Sequence, residues 1–208
     1  MALSARKEKS KHQVRTEETQ ARILDAAEAV FSERGFEKSQ LEEIAMRAGY
    51  TRGAIYAHYA SKEDLFLALV DQRVLRKLSA MRQTIEAENE IAKRPAIFRH
   101  WLATQASDHA WGTLMLEFKL YALRRPESRE KLVHLYDLMA KSSGRDFIEL
   151  LFGHGMDKAA RAAVERRLSI LGAILSAVNL ESHFRPQLLA RQHLLVVLDE
   201  LFEALVRA

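Results

Sequence analysis

The sequence predicts an all-α protein of about nine helices, with a small N-terminal domain followed by a larger C-terminal bundle. Two observations support this fold class. Residues that break helices are rare, with three prolines and eight glycines among 208 residues, and apolar residues recur at helical spacing along most of the chain. No segment alternates between apolar and polar residues over the length of a strand, so we expect no β-sheet.

Glycines, prolines and capping residues divide the chain into its predicted helices. Ser39 and Glu42 have the spacing of a capping box at the start of the second helix, and Thr51 and Ser61 are placed to cap the third and fourth. We expect helices over 16–35, 39–48, 51–58, 61–89, 95–108, 110–123, 127–152, 158–183 and 187–206. The chain then consists of a disordered arm (1–15), an N-terminal domain (16–62) and a C-terminal domain (63–208).

The composition excludes several classes of site. The chain has no cysteine, which excludes disulfides, zinc–thiolate sites and a cysteine nucleophile. No secretory leader and no apolar run of about 18 residues occurs, so we expect a cytoplasmic protein without a membrane partner. Nucleotide-binding and hydrolase motifs are missing, and no histidine pair has metal-ligand spacing. We therefore expect no enzyme activity, no cofactor and no metal.

The excess positive charge lies at the N-terminus. Residues 1–15 carry five basic side chains and one acidic one, whereas the remainder carries 27 of each, so the net charge of +4 belongs to this arm. A flexible basic arm suits contact with phosphates. A solvated start of chain is the alternative, and the charge alone does not decide between them.

Residues 39–62 form the predicted functional segment. Gly49-Tyr50-Thr51 is too short a connection for antiparallel helices and suits the tight turn of a helix-turn-helix. In the third helix Ile55 faces the core, while the opposite side combines small residues with hydrogen-bonding ones. Such a surface fits a DNA major groove, where an arginine can donate two hydrogen bonds to a guanine. The alternative is a small-molecule-binding or interaction protein in which this motif is only structural.

The stretch SQLEEIAMRAGYTRGAIYAHYASKEDLF, from Ser39 to Phe66, resembles the DNA-binding signature of the tetracycline-repressor (tetR) family. The similarity extends upstream through Arg22-Ile-Leu-Asp-Ala-Ala, Phe31 and Gly35 and covers residues 16–70. The run Thr51-Arg-Gly-Ala-Ile-Tyr56 is especially similar to multidrug-efflux repressors. The resemblance implies a homodimeric repressor that binds a palindromic double-stranded operator and is released by a small apolar or amphipathic effector.

The resemblance also assigns roles by position. Arg52 is implied as the main base reader, Tyr56 and His58 as contacts to bases or backbone, and Lys62 as a phosphate ligand. Ser39 is implied at a phosphate, and Tyr59 packs its ring with its hydroxyl toward the phosphates. The implied DNA-binding residues are Ser39, Thr51, Arg52, Ala54, Tyr56, His58, Tyr59 and Lys62. Tyr50 and Gln40 depart from the family pattern, where a small aliphatic residue and threonine are usual.

The C-terminal domain offers two further hypotheses. Aromatic and methionine side chains could line an apolar ligand pocket, with core packing as the alternative; they are Trp101, Trp111, Met115, Phe118, Tyr121 and Met139. The last two predicted helices carry long leucine stripes that could form a four-helix dimer interface, with an intrachain bundle as the alternative. The stripes are represented by Leu168, Leu171, Leu175, Leu194, Leu198 and Leu201.

Overall fold

The structure, a computed structural model, describes residues 11–187 together with 193, 196, 197, 200 and 201, but not the side chains of residues 11 and 139–145. Its helices are α1 (Lys11–Arg34), α2 (Leu41–Ala48), α3 (Arg52–Tyr56), α4 (Lys62–Glu86), α5 (Arg94–Ala106), α6 (His109–Leu123), α7 (Pro126–Phe152) and α8 (Lys158–Ser182), with a 3₁₀ turn over Ile91–Lys93. The all-α prediction is confirmed, since every regular element in the described ranges is helical. The predicted helix over 187–206 lies largely outside those ranges.

The first helix begins earlier than predicted. It starts at Lys11, so residues 11–15, which we expected to belong to a disordered arm, are helical. Thr16 and Thr19 do not cap the helix, because their hydroxyls donate to the carbonyls of His12 (3.0 Å) and Arg15 (2.9 Å) one turn back. Residues 1–10 of the predicted arm lie outside the described part of the chain.

Two compact units make up the chain, divided between Asp71 and Gln72 inside α4. The first unit has an aromatic core in which the ring centroids of Phe31, Phe36 and Phe66 lie 5.1–5.7 Å apart. Aromatic pairs at such distances contribute about 0.5–1.5 kcal/mol each beyond the burial of their area. This cluster is fully buried and holds α1, the loop after it and α4 together around the shorter helices.

The second unit has its own apolar core. Met81 and Ile85 of α4, Phe98 and Leu102 of α5 and Leu151 of α7 pack in it against Leu171 and Leu175 of α8. Leu171 and Leu175 therefore point into the chain's own core. Among the described residues, no helix is both long and apolar enough to cross a membrane.

Candidate nucleic-acid interface

The turn between α2 and α3 is built from backbone geometry and one capping side chain. Gly49 ends α2 in the left-handed region (φ 75°, ψ 31°), a conformation that glycine adopts without steric cost. Thr51 is extended (φ −89°, ψ 159°), and its side chain accepts the amide hydrogen of Ala54 at 3.2 Å. The predicted cap at Thr51 is confirmed, and the conformations of Gly49 and Thr51 together lead the chain from α2 into α3.

Helix α3 buries one side chain and exposes the rest. Ile55 is fully buried, whereas Arg52 and Tyr56 are exposed and His58 is partly exposed. The small residues Gly53, Ala54 and Ala57 lie between them. The helix ends at Tyr56, two residues before the predicted end at His58. This surface has the mixture of small and hydrogen-bonding residues that the sequence predicted.

Arg52 is held by two neighbours. Its Nη1 donates to Oε1 of Glu42 on α2, and its Nη2 donates to the hydroxyl of Tyr56 at 3.1 Å. The guanidinium carbon also lies 5.3 Å from the centroid of the Tyr56 ring. The guanidinium is therefore oriented on the exposed face of α3 before any ligand arrives. Glu42 as a partner was not identified from the sequence.

Ser39 lies at the start of α2 but does not cap it. Its side chain is 3% exposed, and its hydroxyl donates to the carbonyl of Gly35 at 2.5 Å, with the carbonyl of Val30 further away at 3.4 Å. Gln40 is the N-terminal cap residue of α2 and makes no side-chain capping bond. The predicted capping box is therefore wrong, because the Ser39 hydroxyl donates to a carbonyl just after α1 instead of capping α2. The hydroxyl is thus directed at a carbonyl of its own chain.

Lys62, expected at a phosphate, stabilises the loop between α1 and α2. Its Nζ donates to the carbonyls of Phe36 (2.9 Å), Glu37 (3.0 Å) and Ser39 (3.1 Å). An ammonium group carries three hydrogens, so these carbonyls match its full donor capacity. The Nζ also lies 4.8 Å from the centroid of the Phe36 ring.

Two tyrosines near α3 lie in different surroundings. Tyr59 is 8% exposed, and burial raises the pKa of its hydroxyl, so its ring belongs to the core as expected. Tyr50, in the turn, donates its hydroxyl to Oγ1 of Thr19 at 3.3 Å. The guanidinium of Arg22 lies 5.2 Å from the Tyr50 ring centroid. Arg22 therefore places a cation beside the turn, which the sequence did not indicate.

Arg34 of α1 and Arg47 of α2 form ion pairs that serve the fold. Arg47 forms a two-point ion pair with Glu33 (both contacts 2.6 Å) and a third contact with Glu43 (2.8 Å). Arg34 approaches Glu43 at 3.6 Å. These pairs lower the pKa of Glu33, mainly through the hydrogen bond from Arg47. Arg34 and Arg47 thus join α1 to α2.

The residues of the predicted ligand pocket lie in different surroundings. Trp101 stacks on Phe98 (centroids 5.8 Å apart) at the edge of the second unit's core. Trp111 lies under the guanidinium of Arg73, 4.4 Å from its carbon. Phe118 is fully buried and lies 6.1 Å from Tyr121, while Met115 is partly buried on the same helix. The side chain of Met139 lies outside the described residues.

The predicted dimer interface requires a correction. Leu171 and Leu175 are 1% and 8% exposed, and both belong to the core of their own chain, with Leu168 packed against it. Leu201 is partly buried, and Leu194 and Leu198 lie outside the described residues. The side chains of Leu171 and Leu175 are therefore already buried inside their own chain, which does not leave them available to a partner subunit.

Comparison with known proteins identifies the first unit. The family model described as bacterial regulatory proteins, tetR family, matches residues 23–69. The transcriptional repressor BepR of Brucella suis is 55% identical over 53 residues, which are 26% of this chain and 25% of that protein. Matches to three further curated relatives span 25%, 62% and 38% of those proteins. The chain therefore matches less than two thirds of the length of each of these relatives.

Solved structures match nearly the whole chain at low sequence identity. The fatty acid degradation regulator FadR from Bacillus halodurans has a TM-score of 0.60 and 20% identity, covering 96% of this chain and 97% of that one. FadR from Bacillus subtilis, solved in complex with stearoyl-CoA, has a TM-score of 0.52 and 20% identity, covering 89% and 97%. These neighbours share the fold of this chain, and their names describe regulators rather than enzymes.

Proposed function

The chain belongs to the tetR family of bacterial regulatory proteins, and we propose on that basis that it is a dimeric, sequence-specific DNA-binding repressor released by a small amphipathic ligand. The observation that carries the proposal is the surface of α3. Its one large apolar side chain, Ile55, is buried, and its exposed side presents Arg52 and Tyr56. A helix of a purely structural motif has no need for this pair on its exposed face.

In the proposed complex Arg52 contacts a guanine and small residues let the backbone approach the groove. A bidentate contact of this kind discriminates against a wrong base by about 1–3 kcal/mol. Thr51, Tyr56 and His58 flank Arg52 and are proposed to contact phosphates or neighbouring bases. Arg22, beside the turn, is proposed as a further phosphate contact in place of Lys62, whose ammonium hydrogens are directed at carbonyls. Phosphate contacts of this type fix the register of a protein on DNA.

We propose that dimerisation uses the outer face of α8. Ile170 and Leu180 of α8 are 57% and 37% exposed, and Phe184, just beyond the end of the helix, is 76% exposed. Small residues alternate with them, and a Cβ added at Gly172 would have no heavy atom within 4 Å. Small residues permit close approach of a partner helix, and an apolar face of this kind is buried in an isologous dimer.

The effector is proposed to bind along α6. This helix carries Trp111, Met115, Phe118 and Tyr121, and aromatic and methionine side chains make adaptable walls for an acyl chain. The stearoyl-CoA complex of the Bacillus subtilis FadR makes long-chain acyl-CoA a reasoned first probe. A ligand releases DNA only if it binds the DNA-free state better than the bound one. In the DNA-bound state the two recognition helices lie about 34–36 Å apart, which is one turn of DNA. In the ligand-bound state they are proposed to lie further apart and no longer match the operator.

Selection of bound sequences from a random duplex pool tests the DNA-binding proposal. We expect an enriched, two-fold symmetric site with half-site centres about 10 base pairs apart. Binding without any enrichment, or no binding, would favour the alternative of a structural motif. The effector is tested by adding stearoyl-CoA to the complex, with coenzyme A as the control lacking the acyl chain. Release by stearoyl-CoA alone supports this ligand class, and equal behaviour of both compounds excludes it.

A further inference from the structure

Glu42 lies on α2 within hydrogen-bonding distance of the side chain that the proposed function assigns to base recognition. We propose that Glu42 is a positioning residue that sets sequence specificity, by holding Arg52 toward a base and away from phosphates. The inference rests on the proposed DNA-binding function and adds to it a residue that makes no base contact itself.

The geometry around Arg52 leaves its recognition edge available. Glu42 accepts from Nη1 and Tyr56 accepts from Nη2 of the same guanidinium. Each terminal nitrogen of arginine carries two hydrogens, so one hydrogen on each is engaged and the other remains for a base. The two partners thus hold the planar group from both sides in a form that suits a bidentate contact. A side chain ordered before binding loses less conformational freedom when the complex forms.

The charge of Glu42 opposes non-specific binding. Arginine side chains are long enough to turn from a base edge to a neighbouring phosphate, and phosphate contacts carry no sequence information directly. If Arg52 left Glu42 for a phosphate, it would leave an exposed carboxylate close to the DNA backbone. The side chains of Glu42 and Arg52 are 53% and 56% exposed, so both are accessible to DNA in this structure.

The neighbouring residue Glu43 provides a matched control. It has the same charge, lies in the same first turn of α2 and pairs instead with Arg47 (2.8 Å) and Arg34 (3.6 Å). Replacing either glutamate by glutamine removes one negative charge from α2, whereas only Glu42→Gln alters the support of Arg52. A general electrostatic effect would act similarly in both variants.

The test compares Glu42→Gln, Glu42→Asp and Glu43→Gln with the wild type on three duplexes. These are the sequence that the wild type selects, the same sequence with the base pair sensed by Arg52 replaced, and an unrelated duplex, each measured at several salt concentrations. We expect Glu42→Gln to lower the discrimination at that base pair by about three- to tenfold and to steepen the salt dependence on the unrelated duplex by about one phosphate contact. Glu42→Asp should restore part of the discrimination, and Glu43→Gln should leave it within about twofold of wild type.

Several outcomes would overturn the inference. Equal losses of discrimination in Glu42→Gln and Glu43→Gln would assign the effect to general charge, and unchanged discrimination in Glu42→Gln would remove Glu42 from recognition. In the background of Arg52→Ala, Glu42→Gln should have no further effect on discrimination, and an undiminished effect there would also contradict positioning. Thermal unfolding of each variant separates misfolding from altered recognition. A wild type that selects no sequence would refute the proposed function and this inference together, whereas the other outcomes refute the inference alone.

Discussion

Gly112 on α6 faces Asn179 on α8 with no space for a side chain between them. A Cβ added at position 112 would lie 1.7 Å from Oδ1 and 2.4 Å from Cγ of Asn179. Asn179 is 6% exposed, and its Nδ2 donates to the carbonyl of Ala106 at 2.8 Å. The absence of a side chain at Gly112 thus allows a buried asparagine to join the end of α5 to α8.

Gly112→Ala should destabilise the second unit, because the added methyl group must displace a hydrogen-bonded side chain. Overpacking of this kind costs about 1–3 kcal/mol, which denaturant unfolding would measure. Asn179→Ala alone leaves the Ala106 carbonyl without its donor and should cost about 1–3 kcal/mol. The double variant should be more stable than the sum of the two losses implies, because truncation makes room for the methyl group. Strict additivity would contradict the steric explanation.

Lys62→Met should lower the stability of the first unit, since three carbonyl groups lose a charged donor. We expect a loss of about 1–3 kcal/mol in the free energy of unfolding. Lys38→Met is the control, because Lys38 lies exposed in the same loop between α1 and α2 and its replacement should have little effect. Unchanged stability in Lys62→Met, combined with a salt dependence of DNA binding reduced by about one contact, would instead support the phosphate role.

The carboxylate of Asp108 gives the second unit a pH-dependent contribution to stability. It caps α6 and accepts from Arg73 (2.7 Å) and Lys77 (2.8 Å) of α4. Burial acts to raise its pKa, but the hydrogen bonds from Lys77 and Arg73 outweigh burial and lower it. Because the pKa is lower in the folded state, this stabilisation is present above the unfolded pKa of about 3.9 and is lost as the pH falls through the folded value.

Asp108→Asn should therefore reduce stability at neutral pH, and the difference from wild type should disappear in strong acid. Asparagine keeps a capping side chain, so the change isolates the charge, and about 1 kcal/mol is expected for partly exposed ion pairs. Asp157→Asn, at the cap of α8, is the control for losing a capping carboxylate. A difference between Asp108→Asn and wild type that persisted unchanged at low pH would contradict the role of the two cations.

Neighbouring residues on α8 separate the proposed interface from the core. Ile170 is 57% exposed and Leu171 is 1% exposed. Ile170→Glu should shift a dimer toward monomers in sedimentation experiments, because it places a charge in the proposed contact. Leu171→Ala should instead lower the free energy of unfolding by about 2–5 kcal/mol. A wild type that is monomeric at all concentrations, or an unaffected dimer in Ile170→Glu, would refute this interface.

The fold and helix α3 were predictable because their signals are local. Gly49, Thr51 and Ile55 determine the turn, the cap and the buried side of α3 through their own conformational preferences and spacing. Other features depend on tertiary contacts. Ser39 has a capping spacing, yet its hydroxyl donates to the carbonyl of Gly35, just after α1, and lies 3.4 Å from that of Val30.

Helix α8 shows the same limit in its packing. It carries apolar residues on two faces, and the sequence does not say which one the chain itself covers. The leucine stripe fits a dimer interface or an intrachain bundle, and the structure places Leu171 and Leu175 in the core. The partners of Arg52 and Lys62 could not be predicted from the sequence either. Glu42 and the carbonyls of the loop between α1 and α2 come close to these side chains only in the folded chain.

The central claim is that α3 recognises bases through Arg52. The most direct test is a scan in which each base pair of the selected duplex is replaced in turn, with affinities measured for wild type and Arg52→Ala. We expect the variant to lose about 1–3 kcal/mol of discrimination at one guanine in each half-site, and to keep the wild-type preferences elsewhere. A scan that is the same for both proteins at every position would contradict the claim.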